Sequence, residues 1–144
     1  MKNALATLSR IEKFNINEQR KILIALLEEQ EALQLHLDNL NLRYEQEKEF
    51  HRHNQLIGDF GAYTKKYLAD KEELETKIQS LEDQITHIRD IIADMFKEQK
   101  TYEIIDKNRQ EKAQHEEDLK IQKQLDEIGT NSYIKKHTKQ KQGE

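Results

Sequence analysis

The chain has 144 residues, of which 36% are charged and 35% hydrophobic, and its 24 basic and 28 acidic residues give a net charge of −4. It contains no proline, cysteine or tryptophan, and its mean hydropathy is −1.04. The lack of cysteine excludes disulfides and thiolate chemistry, and the scarcity of large apolar side chains argues against a globular enzyme, although it permits a narrow helical seam. The mixed charge predicts no nucleic-acid binding, and the short apolar runs predict neither a signal peptide nor a membrane span, which needs roughly 20 residues. We therefore expect a cytoplasmic protein.

The first predicted element is a coiled-coil helix over residues 1–57. Its apolar residues recur with alternating spacings of three and four, which is the pattern of a coiled-coil seam. An interruption near residues 15–17 is an alternative, because Asn15 and Asn17 can both cap a helix. The seam positions are Ile16, Gln19, Leu23, Leu26, Gln30, Leu33, Leu37, Leu40 and Tyr44.

A turn over residues 58–61 is predicted next, because Gly58 and Gly61 are two of only four glycines in the chain. The second coiled-coil helix then runs over residues 62–128 and ends before Gly129. The tail over residues 129–144 is rich in lysine and is predicted to be flexible. The seam of the second helix consists of Leu74, Ile78, Leu81, Ile85, Ile88, Ile92, Met95, Gln99 and Tyr102.

The two seams match each other when the chain is folded back at residue 59. The predicted fold class is therefore all-α, a long antiparallel two-helix coiled-coil hairpin with an overhanging second helix. This register predicts the facing pairs Leu23–Met95, Leu26–Ile92, Leu33–Ile85, Leu37–Leu81, Leu40–Ile78 and Tyr44–Leu74.

No catalytic, cofactor-binding or metal-binding residue is predicted. His51 and His53 are two positions apart, so on a helix they point to different faces, whereas a zinc pair needs a spacing of three or four. The acidic run from Glu116 to Asp118 lacks the pocket that general acid–base catalysis requires. The sequence thus predicts a protein that is not an enzyme.

Four aromatic residues lie near the predicted turn, where the seam is weakest: Phe50, Phe60, Tyr63 and Tyr67. One interpretation is a small hydrophobic cap over the turn. The other is an exposed docking patch, because aromatic side chains are common anchors in interfaces. The two interpretations are compatible.

The second half contains three distinctive runs, from Phe96 to Glu103, from Asn108 to Lys112 and from Ile121 to Ile128. They resemble segments of the FliJ family of flagellar type III export proteins. The run from Phe96 to Glu103 looks like the family's Lys-x-x-Glu segment, and the run from Asn108 to Lys112 is similar to its charged helix. The run from Ile121 to Ile128 is similar to the family's closing segment, in which Gln-Lys precedes an Asp-Glu pair between hydrophobic residues. The chain departs from the family at Gly129, where the family continues as a helix.

The resemblance implies a cytoplasmic stalk of the export apparatus, which associates peripherally with the inner face of the cell membrane through that apparatus. Its partners would be the flagellar export ATPase ring, the cytoplasmic domain of the export gate and the export chaperones. It would promote assembly and activity of the ATPase without inserting into the membrane. A stalk of a virulence-type injectisome is a close variant.

The resemblance also implies two groups of contact residues. The paired terminal region would enter the ATPase ring, and the part of the hairpin nearer its turn would contact the export gate. The ring contacts would be Lys100, Glu103, Arg109, Leu125, Asp126 and Glu127. The gate contacts would be Tyr44, Phe60, Tyr63 and Tyr67.

A structural coiled-coil adaptor or scaffold rod, unrelated to secretion, is the alternative function. In that case the heptads would pair between chains, and the protein would be a dimer instead of a monomeric hairpin.

Overall fold

The computed structural model describes residues 2–54 and 59–142, with side chains at 4–54 and 59–139. Two helices account for this part of the chain, α1 over Lys2–His53 and α2 over Phe60–Gln142. They pack against each other, and no strand occurs in the described residues, so the predicted all-α helical hairpin is confirmed. The chain divides into a hairpin unit, Arg10–Glu98, and a terminal unit that combines Met1–Ser9 with Gln99–Glu144.

The hairpin unit is held together by the predicted seam. Every seam position of this unit, from Ile16 to Tyr44 on α1 and from Leu74 to Met95 on α2, is buried or half-buried. Ile85 is the most deeply buried residue at 1% exposure. Most positions between the seam residues are exposed, because a helix in a two-helix pair can cover only one stripe of its surface.

The predicted register of the two helices is wrong by one heptad. Folding at residue 59 places Tyr44 opposite Leu74, but the Tyr44 ring stacks on the Tyr67 ring, with centroids 4.0 Å apart. The His51 and Phe60 rings are 4.9 Å apart, and this pair is centred, like Tyr44 and Tyr67, midway between positions 55 and 56. A shift of seven residues still places every seam position from Ile16 to Leu37 opposite a seam position of α2, so the heptad pattern over this stretch does not distinguish the two registers.

Contacts further along the hairpin agree with the register that the aromatic pairs indicate. The Gln30 amide nitrogen Nε2 donates a hydrogen bond to Glu82 Oε2 at 2.6 Å, and a surface groove brings Leu33 beside Lys77 and Leu81. The predicted register would instead place Leu33 at Ile85.

The helix ends at the turn are capped by side chains. The Asn54 amide donates to the carbonyl oxygen of Phe50 at 3.0 Å, at the end of α1. Asp59 caps the start of α2, because its Oδ1 accepts from the backbone N–H of Ala62 at 3.1 Å. A Cβ atom at Gly61 would lie 3.1 Å from the same Oδ1, so glycine leaves room for the cap.

The bounds of the helices at the turn therefore differ from the prediction. Phe60 and Gly61, which the sequence assigns to the turn, are the first residues of α2. Gly58 and the predicted helical residues 55–57 lie outside the described residues.

α1 is continuous through residues 15–17, where an interruption is the alternative from the sequence. Ile16 is 2% exposed, so packing fixes this turn of the helix. The Asn17 side chain accepts from Arg20 Nη1 at 3.5 Å and does not cap a new helix. Without a proline, nothing at this point removes a backbone hydrogen bond.

α2 does not end at Gly129, as predicted, but continues to Gln142. A glycine inside a helix costs about 0.5–1 kcal/mol relative to alanine, which weakens a helix without ending it. The residues that follow support the helix locally. The Thr138 hydroxyl donates to the Ile134 carbonyl oxygen at 2.8 Å, and the Tyr133 and His137 rings are 4.1 Å apart.

The terminal unit buries little of α2. Gln99 is buried and Tyr102 and Asp106 are half-buried, but every side chain over residues 107–139 is exposed. We call residues 107–139 the C-terminal segment. Its helix depends on local pairs such as Gln110 with Asp106 and Gln114 with Asp118, each at 3.0 Å, which contribute only about 0.2–0.5 kcal/mol apiece.

Candidate functional site

The four residues predicted to contact the export gate form one aromatic cluster, which we call the tip cluster: Tyr44, Phe60, Tyr63 and Tyr67. Tyr44 lies at its centre, with ring centroids 5.7 Å from Phe60, 6.2 Å from Tyr63 and 4.0 Å from Tyr67. These ring planes lie within 14° of parallel. The cluster joins one α1 residue to three α2 residues in the hairpin unit.

Hydrogen bonds between the helices hold two of these rings in place. The Tyr67 hydroxyl donates to Asn41 Oδ1 at 2.6 Å, and the hydroxyls of Tyr44 and Thr64 are 3.3 Å apart. Lys71 Nζ lies 5.9 Å from the Tyr67 ring centroid, at the outer limit of a cation–π contact. A half-buried tyrosine that is fixed at its hydroxyl keeps its ring in one orientation, which suits a binding surface.

The tip cluster has features of both arrangements predicted for the aromatic residues near the turn, a hydrophobic cap and an exposed patch. Its four residues are half-buried, so they pack as a cap and still present part of their surface to solvent. Phe50 is not part of the stack. It is 48% exposed, and its ring meets that of His51 edge-on at 5.8 Å. Whether this surface contacts an export gate stays a prediction.

The residues predicted to contact the ATPase ring all lie exposed in the terminal unit. Leu125, at 62% exposure, is the one large apolar side chain in the predicted group. Asp126 and Glu127 line a shallow surface depression with Lys123, Thr130 and Asn131. These six positions are Lys100, Glu103, Arg109, Leu125, Asp126 and Glu127.

The structure does not bring these six residues together. Lys100 and Glu127 are separated by about 40 Å along the helix at 1.5 Å per residue. Leu125, Asp126 and Glu127 are consecutive, so they point about 100° apart around the helix axis. A partner that touched all six would have to surround the helix along its length, as a ring does.

Sequence reasoning missed the polar residues that complete the tip cluster. Asn41 and Thr64 supply its two interhelical hydrogen bonds, and the His51 ring lies against the Phe60 ring at an angle of 36°. The contact of the Arg20 guanidinium with the Phe96 ring, 5.1 Å from the centroid, was also not foreseen. The correct register would have predicted the contact with Asn41, because it places Tyr67 opposite Tyr44 and therefore close to Asn41.

The described residues contain no group of three or more histidine, aspartate or glutamate side chains placed to hold a metal ion. Across the same part of the chain, neither helix has a segment apolar enough to cross a lipid bilayer.

No protein-family model, no curated protein and no solved structure matches this chain.

Proposed function

We propose that the protein is a non-enzymatic, stalk-like component of the flagellar type III export apparatus. In this proposal it binds the export ATPase ring and promotes ring assembly and activity. It also contacts the cytoplasmic part of the export gate and helps to recycle export chaperones. It acts in the cytoplasm, peripherally to the membrane.

One observation carries this proposal. The hairpin unit buries its seam, whereas the helix of the C-terminal segment, which follows it in the sequence, is exposed on all sides. Every side chain over residues 107–139 is available to a partner, whereas the hairpin unit buries its seam without one. The residues that resemble the family's closing run, Ile121 to Ile128, lie in this exposed segment. A helix that is surrounded by a ring must present side chains in all directions, and this one does.

The charges of the segment suit an adaptable contact. The segment carries charged residues of both signs. Exposed ion pairs contribute only about 0–1 kcal/mol each, so no single pair would fix the stalk in one orientation. Differential binding to the assembled ring is sufficient to stimulate hydrolysis without any active site on the stalk. The tip cluster, in the other unit, supplies a separate surface of oriented rings for the export gate.

The test is to titrate the full-length protein into the flagellar export ATPase of the same organism, with hydrolysis rate and ring formation followed together. We expect both to rise and to saturate near one stalk per hexamer. Leu125→Asp should reduce this stimulation while the circular dichroism of the hairpin stays unchanged. Tyr63→Ala in the tip cluster is the matched control, because it should leave ATPase stimulation intact.

Absence of stimulation over a wide concentration range would refute the proposal. The structural adaptor or scaffold would then be the better description. Stimulation of an injectisome ATPase in place of the flagellar enzyme would redirect the proposal to that system.

A further inference from the structure

The C-terminal segment carries an apolar stripe of its own. Ile121, Leu125 and Ile128 are 46%, 62% and 62% exposed. They are spaced by four and three residues, so they lie on one face of the helix. The same alternation of three- and four-residue spacings leads to Asp118 on the N-terminal side of the stripe and to Ser132 on its C-terminal side.

This stripe is not a continuation of the hairpin seam. The seam frame, extended from Tyr102 with the same alternation, passes through polar or small residues only: Asp106, Arg109, Ala113, Glu116, Lys120, Lys123 and Glu127. The stripe is offset from that frame by two residues, which is about 200° around the helix, so it lies nearly opposite the extended seam. The seam therefore cannot cover the stripe, and covering its exposed apolar residues requires a different partner helix.

The charges on either side of the stripe identify that partner. Glu116, Glu117 and Asp118 precede it, and Lys135, the next position of the alternation after Ser132, follows it together with Lys136. A second copy of the segment in antiparallel orientation brings the acidic end of each helix to the basic end of the other. A parallel copy would place acid against acid and base against base, which is unfavourable.

We propose that the C-terminal segment pairs with a second copy of itself as a short antiparallel coiled coil. Centred between positions 126 and 127, the pairing packs Leu125 against Ile128 of the second copy. In the next layer outward, Ile121 faces Ser132, whose short side chain lets the helices approach closely. Each layer occurs twice because the interface has a two-fold axis.

The charged residues that end the stripe give this interface its register. In the proposed alignment Asp118 of one copy faces Lys135 of the other. A shift of one heptad in one direction would place Leu125 opposite Lys135, and a shift in the other direction would place Ile128 opposite Asp118. Either shift desolvates a charged group against an apolar side chain in place of pairing it with its opposite.

The apolar contact between the two copies is small. Only Ile121, Leu125 and Ile128 of each copy contribute large apolar side chains to it. A short coiled coil of this kind is marginal in water, so we expect a reversible dimer and not a permanent one.

This inference does not rest on the proposed function. It does have a consequence for it, because Leu125 serves both contacts. The second copy and an ATPase ring would compete for the segment, and the dimer would be the state of the protein alone.

The first test is sedimentation equilibrium of the full-length protein without any ATPase. We expect the mass to rise with concentration from 17.2 kDa toward twice that value. Leu125→Asp affects both central layers and should weaken association by more than about tenfold. Leu119→Asp is the matched control, because Leu119 is 52% exposed but lies on the opposite side of the helix, so association should stay within about twofold of the wild type.

Charge reversal tests the partner and its orientation. Lys135→Glu alone and Asp118→Lys alone should each weaken the dimer, since each puts like charges together. The double variant Asp118→Lys with Lys135→Glu restores opposite charges in an antiparallel dimer and should recover association. A double variant that associates no better than the single variants would overturn the antiparallel pairing.

Crosslinking gives an independent test of direction, because the chain has no cysteine of its own. Ile121→Cys and Ser132→Cys variants, mixed in equal amounts and oxidised, should form chiefly the mixed disulfide. Crosslinks chiefly between identical variants would show parallel pairing and overturn the proposal. So would a wild-type protein that remains monomeric up to about 1 mM, which would leave the stripe to a different partner.

Discussion

The hairpin unit and the C-terminal segment are both α-helical, but their apolar side chains have opposite environments. Ile85 in the hairpin unit is 1% exposed, whereas Ile128 in the C-terminal segment is 62% exposed. The hairpin helices carry a seam that finds its complement in the same chain. The segment has a shorter stripe that is exposed and has no complement among the described residues of its unit. Heptad spacing thus predicts that a helix packs against another helix. It does not say whether that partner helix belongs to the same chain, as in the hairpin unit, or to another molecule.

Replacing the same residue type in both regions tests this difference most strongly. Ile85→Ala should lower the free energy of unfolding by about 2–5 kcal/mol, because it leaves a cavity in the seam. Ile128→Ala should change the unfolding free energy of the monomer by about 0.5 kcal/mol or less, because the side chain is already in water. Urea denaturation followed by circular dichroism in dilute solution measures both. Equal effects would mean that the two environments do not differ as described.

The tip cluster provides the next largest effect. Tyr44→Leu removes the ring that stacks on three others, and aromatic pairs contribute about 0.5–1.5 kcal/mol each, so we expect a loss of about 1–3 kcal/mol. Phe50→Leu changes a ring outside the stack and serves as the control. The unfolding free energies of the two variants should differ clearly. A Tyr44 variant as stable as the Phe50 variant would argue against the stacked arrangement.

Loss of the α2 cap should have a smaller effect. Asp59→Ala removes the acceptor for the Ala62 N–H and should destabilise the hairpin by about 1 kcal/mol. Asp59→Asn keeps an acceptor and should retain most of the stability. Thermal unfolding of the two variants checks this, and an equal loss in both would show that the charge, and not the cap, matters.

The smallest expected effect is a gain in the C-terminal segment. Gly129→Ala should stabilise the helix there by about 0.5–1 kcal/mol, because the added Cβ would meet nothing within 4 Å apart from the adjoining residues and backbone of its own helix. Amide hydrogen exchange around residue 129 should slow, while exchange in the hairpin unit stays the same. Gly61→Ala is the contrasting change, because its Cβ would crowd the Asp59 cap, and it should give no such gain.

The helices and the seam could be predicted from the sequence because they depend on local rules. The absence of proline and the three–four spacing of Leu33, Leu37 and Leu40 are sufficient to predict a coiled-coil helix and its buried face. Phe60, Tyr63 and Tyr67 were also identified as aromatic neighbours of the turn, but Tyr44 was placed in the seam opposite Leu74, and Phe50 lies outside the stack. Their proposed role in binding is untested.

The register and the helix bounds could not be predicted in the same way. The heptad is periodic, so Leu37 is equally well placed opposite Leu74 or Leu81, and the choice depends on contacts such as Tyr44 with Tyr67. Gly129 indicated a helix end because glycine has a low helix propensity, but the cost is small compared with that of proline. The six predicted ring contacts came from a resemblance, which says nothing about whether they share a face.

The periodicity of the seam means that a second register, seven residues away, would also bring seam residues together. Sliding one helix past the other by seven residues, about 10 Å, returns apolar side chains to apolar neighbours, so the seam discriminates weakly between the two positions. The tyrosine stack and the hydrogen bond from Gln30 to Glu82 do not repeat every seven residues, so they stabilise the observed register over the shifted one. A substitution in the tip cluster therefore alters the contacts that select one register over the other.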